Sequence, residues 1–122
     1  EAALAHATEL GISVSCSVVD RSGHELVTLR MDGAPWFTAQ LARTKARTCV
    51  AMDSDTAALA QLETEYPGLL DRIAEQLPHS IITLGGGVLA PAEAPKIGAV
   101  GVSGATPEQD IECARAGLAS AV

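Results

Sequence analysis

Residues 12–31, ISVSCSVVDRSGHELVTLRM, decide the fold because they hold two strand patterns joined by a short turn. In residues 12–19, apolar side chains alternate with serines, which is the period of a strand buried on one face. The segment DRSG at residues 20–23 is a turn sequence whose glycine tolerates a positive φ. Residues 24–31 are the returning strand, so the stretch predicts an antiparallel β-hairpin.

Helical patterns lie on both sides of this hairpin. Residues 1–10 are rich in alanine and are followed by Gly11, a residue type that commonly ends helices. The turn DGAP at residues 32–35 precedes a helical pattern over residues 37–52. Shorter helical stretches are predicted between residues 55 and 77, where a proline-glycine pair interrupts the pattern.

The C-terminal third adds three strand patterns and one helix. Residues 81–84 and 97–102 are short apolar runs, and residues 88–96 form an edge strand or an irregular loop because they contain two prolines. The segment TPEQ at residues 106–109 has the threonine cap, first-turn proline and glutamine of a helix start. The order α-β-β-α-α-β-β-β-α predicts an α+β fold with helices packed on an antiparallel sheet, and we expect residues 1–122 to form a single domain.

Charge and cysteine usage limit the function classes. The chain carries 15 acidic and 8 basic residues for a net charge of −7, which argues against binding to nucleic acid or to an anionic membrane. Its apolar runs are too short to span a bilayer. Cys16, Cys49 and Cys113 are widely spaced in apolar segments, so we expect reduced packing residues in a cytoplasmic protein. The chain begins at Glu1 rather than at a methionine, and we expect residues upstream of it.

Three groups of residues carry a resemblance to a known family. They are VVD, GH and RMDGA between residues 18 and 34, KART at residues 45–48, and GGGV at residues 85–88 with IGAVGVSG at residues 97–104 and Asp110. In this order and spacing they resemble the GlcG/HbpS-like family, which is related to the C-terminal domain of PduO-type proteins. The resemblance implies a profilin-like fold with a five-stranded antiparallel sheet flanked by helices. It also implies homo-oligomers and, for some members, binding of haem or a related tetrapyrrole.

Lys45 is the most informative charged residue. On a helix it shares the apolar side with Leu41 and Cys49, so its ammonium group must reach solvent, pair with a carboxylate or lose its charge. A desolvated lysine can act as a catalytic base or nucleophile. The structural alternative is an ion pair, for which Asp20 and Asp32 are the candidates.

Arg30, Met31 and Asp32 lie at the end of the second strand of the hairpin. Alternation puts Arg30 and Asp32 on one face and Met31 on the other. Arg30 can grip a ligand carboxylate and Asp32 can act as a general base, or the two can pair across the turn. Lys45 and Asp32 are therefore the catalytic candidates, and Arg30 and Met31 are ligand-binding candidates.

Gly85, Gly86, Gly87 and Ser103 are the further candidates for ligand binding. The three glycines follow a predicted strand, where they form either a tight connection or a row of amides that binds a carboxylate. Ser103 lies between a predicted strand and the last helix, whose first amides favour an anion. A simple strand-to-helix turn is the alternative there.

Histidines are the candidates for a haem ligand, since haem iron needs an axial donor. His6 lies on the first helix, where the resemblance places the histidine used by haem-binding relatives, so it is the first candidate for the iron. His79 is the second candidate, and Met31 and Met52 are candidates for a second axial ligand. An ordinary surface histidine is the alternative at each position.

These residues support three functional hypotheses. The first is a protein that binds haem or another small ligand between the first helix and the RMDGA turn. The second is a cofactor-free isomerase, lyase or cyclase acting on a small organic acid or polar aromatic compound, in which Lys45 or Asp32 moves a proton and glycine amides stabilise an oxyanion. The third is an oligomeric assembly protein without catalysis.

Overall fold

The computed structural model describes residues 1–94 and 96–121. Pro95, one of the two prolines behind the prediction for residues 88–96, lies outside the described residues. The helices are α1 (Ala2–Leu10), α2 (Thr38–Met52), α3 (Leu59–Glu65), α4 (Leu69–Ala74) and α5 (Pro107–Ala121), with a 3₁₀ turn at Thr56–Ala58. The strands are β1 (Ser15–Val19), β2 (Glu25–Arg30), β3 (Gly87–Leu89) and β4 (Ala99–Ser103).

The four strands form one antiparallel sheet in the order β2-β1-β4-β3. The predicted hairpin is confirmed, because β1 pairs with β2 so that Cys16 lies opposite Leu29. Ser15 also lies opposite Ser103, so β1 begins where β4 ends. Helix α2 packs on one face of the sheet, and α1 and α5 pack together on the other.

Within the described residues the sheet has four strands and not the five that were expected. Residues 81–84, predicted as a strand, are not paired in the sheet, and Leu84 is 58% exposed. The amide of Ile82 donates instead to Thr48 Oγ1 on α2. A short apolar run has the same composition in a strand and in an extended connection, so only the pairing partner decides between them. The chain joins the sheet at Gly87, where β3 pairs with β4 at the edge.

Strand β1 is buried on both faces, whereas the alternation of its side chains predicted one exposed face. Ser15 and Ser17 are completely buried beneath α2. Their hydroxyl groups are hydrogen-bonded to Thr38 Oγ1 and Thr28 Oγ1, each at 2.8 Å. Serine therefore marks the face covered by α2, because paired hydroxyls can be buried at low cost.

Helix α2 lies unusually close to the sheet at Gly101. A Cβ atom at Gly101 would lie 2.1 Å from the carbonyl oxygen of Ala42 and 2.7 Å from the amide nitrogen of Ala46. Both contacts are with helix backbone, which cannot swing aside as a side chain can. The absence of a side chain at Gly101 therefore sets the distance between α2 and β4.

The three cysteines are packing residues. Cys16, Cys49 and Cys113 are all buried free thiols. Burial raises the pKa of Cys16 to about 11, that of Cys49 to about 12 and that of Cys113 to about 11. All three are therefore protonated at neutral pH, which suppresses nucleophilic chemistry.

We expect Gly101→Ala to lower the free energy of unfolding by about 3 kcal/mol or more, because the added methyl group forces α2 off the sheet. The matched control is Gly23→Ala in the hairpin turn, where φ is +85° and an added Cβ meets no atom within 4 Å. That change should lower the free energy of unfolding by only about 1–2 kcal/mol, which is the cost of a positive φ for a residue with a side chain. Urea unfolding of both variants measures the difference. Equal losses of unfolding free energy would contradict the close packing of α2 on β4.

Candidate functional site

A cavity of about 400 Å³ opens at the end of the sheet where β4 finishes. Phe37 and Leu41, from the start of α2, form one apolar wall, and Leu84 and Pro107 form another. Four polar side chains also belong to the lining, namely Thr38, Lys45, Ser103 and Asp110. The cavity therefore combines a mainly apolar surface with one small polar region.

The polar region is built on a buried ion pair. The ammonium nitrogen of Lys45 lies 3.1 Å from Asp110 Oδ2 and 2.9 Å from the carbonyl oxygen of Val102. The side chains of Lys45 and Asp110 are each only 3% exposed. The predicted partners of Lys45, Asp20 and Asp32, were therefore wrong, because the lysine reaches across the end of the sheet to the first turn of α5.

Asp110 is held by the beginning of α5 as well as by Lys45. Its Oδ1 accepts the amide of Ala105 at 3.1 Å. The predicted capping box is also present, since the amide of Gln109 donates to Thr106 Oγ1 and the amide of Thr106 donates to Gln109 Oε1. Burial raises the pKa of the Asp110 carboxyl above its usual range, and the Lys45 ammonium opposes that shift.

Gly86 leaves the space that the Lys45 ammonium occupies. Its φ of +131° is a conformation that L side chains rarely adopt. A Cβ atom there would lie 2.8 Å from Lys45 Nζ and 2.4 Å from the carbonyl oxygen of Val102. Any side chain at this position would therefore displace the ion pair.

The neighbouring glycines are close-packed on both sides. A Cβ atom at Gly85 would lie 2.7 Å from Ile111 Cδ1 on α5, and one at Gly87 would lie 2.7 Å from Cys49 Sγ on α2. The amide of Gly87 already donates to Thr56 Oγ1 at 3.0 Å. The triple glycine is thus a tight connection between two helices, and the amide of Gly87 is not free to bind a carboxylate.

Arg30, Met31 and Asp32 do not line the cavity. The guanidinium group of Arg30 donates to the carbonyl oxygen of Ala34 at 2.9 Å, so it holds the turn directly and not by pairing with Asp32. Asp32 is exposed. Met31 is half-buried, and its sulfur accepts the amide of Val14 at 3.3 Å. These residues shape the turn beside the cavity.

His6 lies on the other side of α5 from the cavity. Its Nε2 is hydrogen-bonded to Glu112 Oε2, and its side chain is 28% exposed. Asp110 and Glu112 are two residues apart, and therefore about 200° apart around the helix axis. The first turns of α5 thus separate the imidazole from the cavity.

The other two histidines are at the opposite end of the sheet. His24 and His79 line a second cavity of about 400 Å³, together with Arg47. His79 Nδ1 is hydrogen-bonded to the carbonyl oxygen of Ser80. The structure therefore does not bring His79 near His6 or near Lys45. Met52, the other candidate axial ligand, lies at the end of α2.

Sequence reasoning missed the role of Asp110 and of the wall residues Leu41, Leu84 and Pro107. Asp110 was noted only as part of a family motif, although an inward lysine needs an acidic partner somewhere. The wall residues come from three separate segments, so no local pattern could join them. Among residues 1–94 and 96–121 there is no group of three or more His, Cys, Asp or Glu side chains that could hold a metal ion. The same residues include no helix long and apolar enough to cross a membrane.

The chain is similar in sequence to one described protein family and to curated relatives. A family described as "Haem degrading protein HbpS-like" matches residues 1–119. The corrinoid adenosyltransferase PduO of Salmonella typhimurium is 36% identical over 120 residues, which cover 98% of this chain and 35% of that protein. The chain thus spans about a third of that curated relative.

Two solved structures are similar over nearly the whole chain. A crystal structure of a PduOC:heme complex is 36% identical with a TM-score of 0.84, and the match covers 98% of this chain and 86% of that one. A double mutant of HbpS from Streptomyces reticuli is 38% identical with a TM-score of 0.85, covering 98% of this chain and 78% of that one. The resemblance inferred from sequence and the α+β class are both confirmed.

We expect Lys45→Met and Asp110→Asn each to lower the free energy of unfolding by about 3–5 kcal/mol, because each leaves a buried polar partner unpaired. The double variant should lose much less than the sum of the two, since it leaves no isolated charge. Chemical denaturation of all four proteins gives the coupling energy. Additive losses would show that the two side chains do not depend on each other.

Proposed function

Because this chain belongs to the HbpS-like family, we propose that it binds a small ligand, with haem as the ligand class that its relatives indicate. The observation that carries the binding of a small ligand is the cavity at the end of the sheet, whereas haem rests on the relatives and on His6. Its size is within the range of about 300–1,000 Å³ that is typical of small-molecule sites. Its surface is mainly apolar, and its few polar groups lie together.

The donor chemistry for haem iron does not fit the cavity. The described residues that line it include no histidine, cysteine, methionine or tyrosine. The amine of Lys45 is engaged by Asp110 and Val102. An iron ligand from this chain must therefore come from outside the cavity.

His6 fits the role of axial donor on the outer face of α1 and α5. Glu112 is hydrogen-bonded to Nε2, and a carboxylate on one ring nitrogen is the usual partner of a histidine that binds metal through the other. Nδ1 is the ring nitrogen that would hold the iron, and Glu9 Oε2 lies 3.9 Å from it. Haem bound there would supply a redox-active iron, which His6 orients.

The chain has a surface suited to self-association, and we propose a homo-oligomer. Strand β2 is at the sheet edge, and its apolar side chains Leu26, Val27 and Leu29 are 54%, 44% and 39% exposed. An exposed apolar edge strand is commonly covered by another chain. A haem on the outer helical face would be better enclosed between two copies than on one.

We propose that residues 1–122 act as one domain with no nucleic-acid or membrane partner, which the net charge of −7 supports. The buried free thiols support a reducing, cytoplasmic setting.

The relatives favour ligand binding over the two other hypotheses. For a cofactor-free enzyme, Lys45 or Asp32 would have to move a proton within the cavity. Lys45 is instead paired with Asp110, and Asp32 is exposed. A purely structural assembly role leaves the cavity unexplained.

The His6 assignment is tested by haem titration followed at the Soret band. We expect His6→Ala to weaken haem binding by more than the ~10–100-fold typical of losing an outer-shell partner, and Glu112→Gln to weaken it within that range. His79→Ala is the matched control and should bind as the wild type does. Wild-type affinity in His6→Ala would remove this residue as the iron ligand.

The cavity is tested separately with ethylbenzene, followed by amide NMR shifts of Gly104 and Ala105. We expect a saturable change in the wild type. Leu41→Trp should abolish the change because the indole fills the cavity, whereas Leu26→Trp on exposed β2 should not. Shifts that persist in Leu41→Trp would place the probe elsewhere.

A further inference from the structure

We propose that the polar end of the cavity binds the carbonyl oxygen of a small uncharged ligand, through the Ser103 hydroxyl and the Lys45 ammonium. The inference rests on the proposed function, namely that this cavity holds a small ligand. It adds the chemical class of that ligand and is independent of haem iron and of His6.

Ser103 is the first observation. It is only 5% exposed, it lines the cavity, and its hydroxyl makes no hydrogen bond to any of the described residues that the structure shows. Every other buried serine or threonine hydroxyl is bonded; these residues are Ser15, Ser17, Thr38, Thr44, Thr48 and Thr56. Because this hydroxyl has no partner within the described protein, it is left to a molecule in the cavity, and a ligand that accepts its hydrogen bond is favoured.

The hydroxyl of Ser103 is reachable from the cavity. Within the described chain, no side-chain nitrogen or oxygen that is fully shielded lacks a hydrogen-bond partner. Because Ser103 Oγ has none, it must retain contact with open space. The space beside it is the cavity that the residue lines.

Lys45 supplies a second donor at the same place. An ammonium group has three N–H bonds, and two of them point to Val102 and Asp110. Lys45 also lines the cavity, and its third N–H is used by neither of these partners. A carbonyl oxygen has two lone pairs, so it can accept both from this N–H and from the Ser103 hydroxyl.

The charge balance favours an uncharged ligand over an acid. The positive charge of Lys45 is already neutralised by Asp110 at 3.1 Å, with both side chains buried. A ligand carboxylate would add an unbalanced negative charge next to the Asp110 carboxylate in a site of low dielectric. The donors that remain therefore call for a neutral acceptor, and not for the carboxylate expected from the sequence.

The apolar walls describe the rest of the ligand. Phe37, Leu41, Leu84 and Pro107 line most of the remaining surface, so the body attached to the carbonyl is apolar and about the size of one or two rings. A ketone, a lactam or an ester of this size has the required chemistry.

Three probes of nearly equal shape separate the alternatives: acetophenone, ethylbenzene and benzoate. We expect acetophenone to bind the wild type about tenfold more tightly than ethylbenzene, which lacks the carbonyl oxygen, and more tightly than benzoate. Ser103→Ala should remove most of this preference without changing ethylbenzene binding. Ser22→Ala, in the exposed hairpin turn, is the matched control and should keep the preference.

The outcomes distinguish this inference from the proposed function. Equal binding of acetophenone and ethylbenzene to the wild type would overturn the carbonyl assignment while leaving the cavity as a ligand site. Tightest binding of benzoate would overturn it in favour of an acid. No binding of any probe at millimolar concentration would overturn the cavity as a site and this inference with it. The wild-type comparison decides the question even if Ser103→Ala fails to fold.

Discussion

The buried ion pair between Lys45 and Asp110 holds the end of the molecule together. It links α2 to α5 across the last residues of β4, so three elements meet at one contact. Two charges are taken out of water there, and each is tolerated only because the other is present. The pair therefore fixes where α5 begins, and the position of α5 fixes one wall of the cavity.

Glycine makes this arrangement sterically possible. Gly101 lets α2 lie on β4, and Gly86 leaves room for the lysine that α2 carries. The space left by Gly86 is useful only because Gly101 allows the close packing, since Lys45 reaches the Val102 carbonyl only from a helix that lies this near the sheet. The small number of aromatic residues in the chain is consistent with such packing, because thin layers need small side chains.

Features set by neighbouring residues could be predicted from the sequence, whereas those set by distant residues could not. The hairpin turn ending at Gly23 and the capping box of Thr106 and Gln109 depend on residues a few positions apart, and both are present. The partner of Lys45 is 65 positions away, so its choice depended on how the sheet ends. Burial of Ser15 depended on the path of α2, which no periodicity in β1 contains.

The candidate site shows the same division. The inward position of Lys45 was predicted correctly, because the helix period places it, whereas Ser103 was expected just after the strand and is its last residue. His6 and the cavity were expected to be together, and the rotation of α5 separates them. Which side of α5 faces the cavity and which faces His6 is set by the packing of α5 against α1, and this packing depends on distant parts of the chain.

The position of Gly86 has a consequence for how this cavity can change during evolution. A side chain there would displace the Lys45–Asp110 pair, and this pair also lines the polar end of the cavity, so that end cannot be reshaped without loss of a contact that the fold needs. The apolar walls are less constrained, since two of their residues, Phe37 and Leu84, are 47% and 58% exposed and contribute little to the core. Related chains can therefore come to accept ligands of different shape through substitutions at these exposed wall residues. The polar end that binds the ligand stays unchanged, because folding requires its residues.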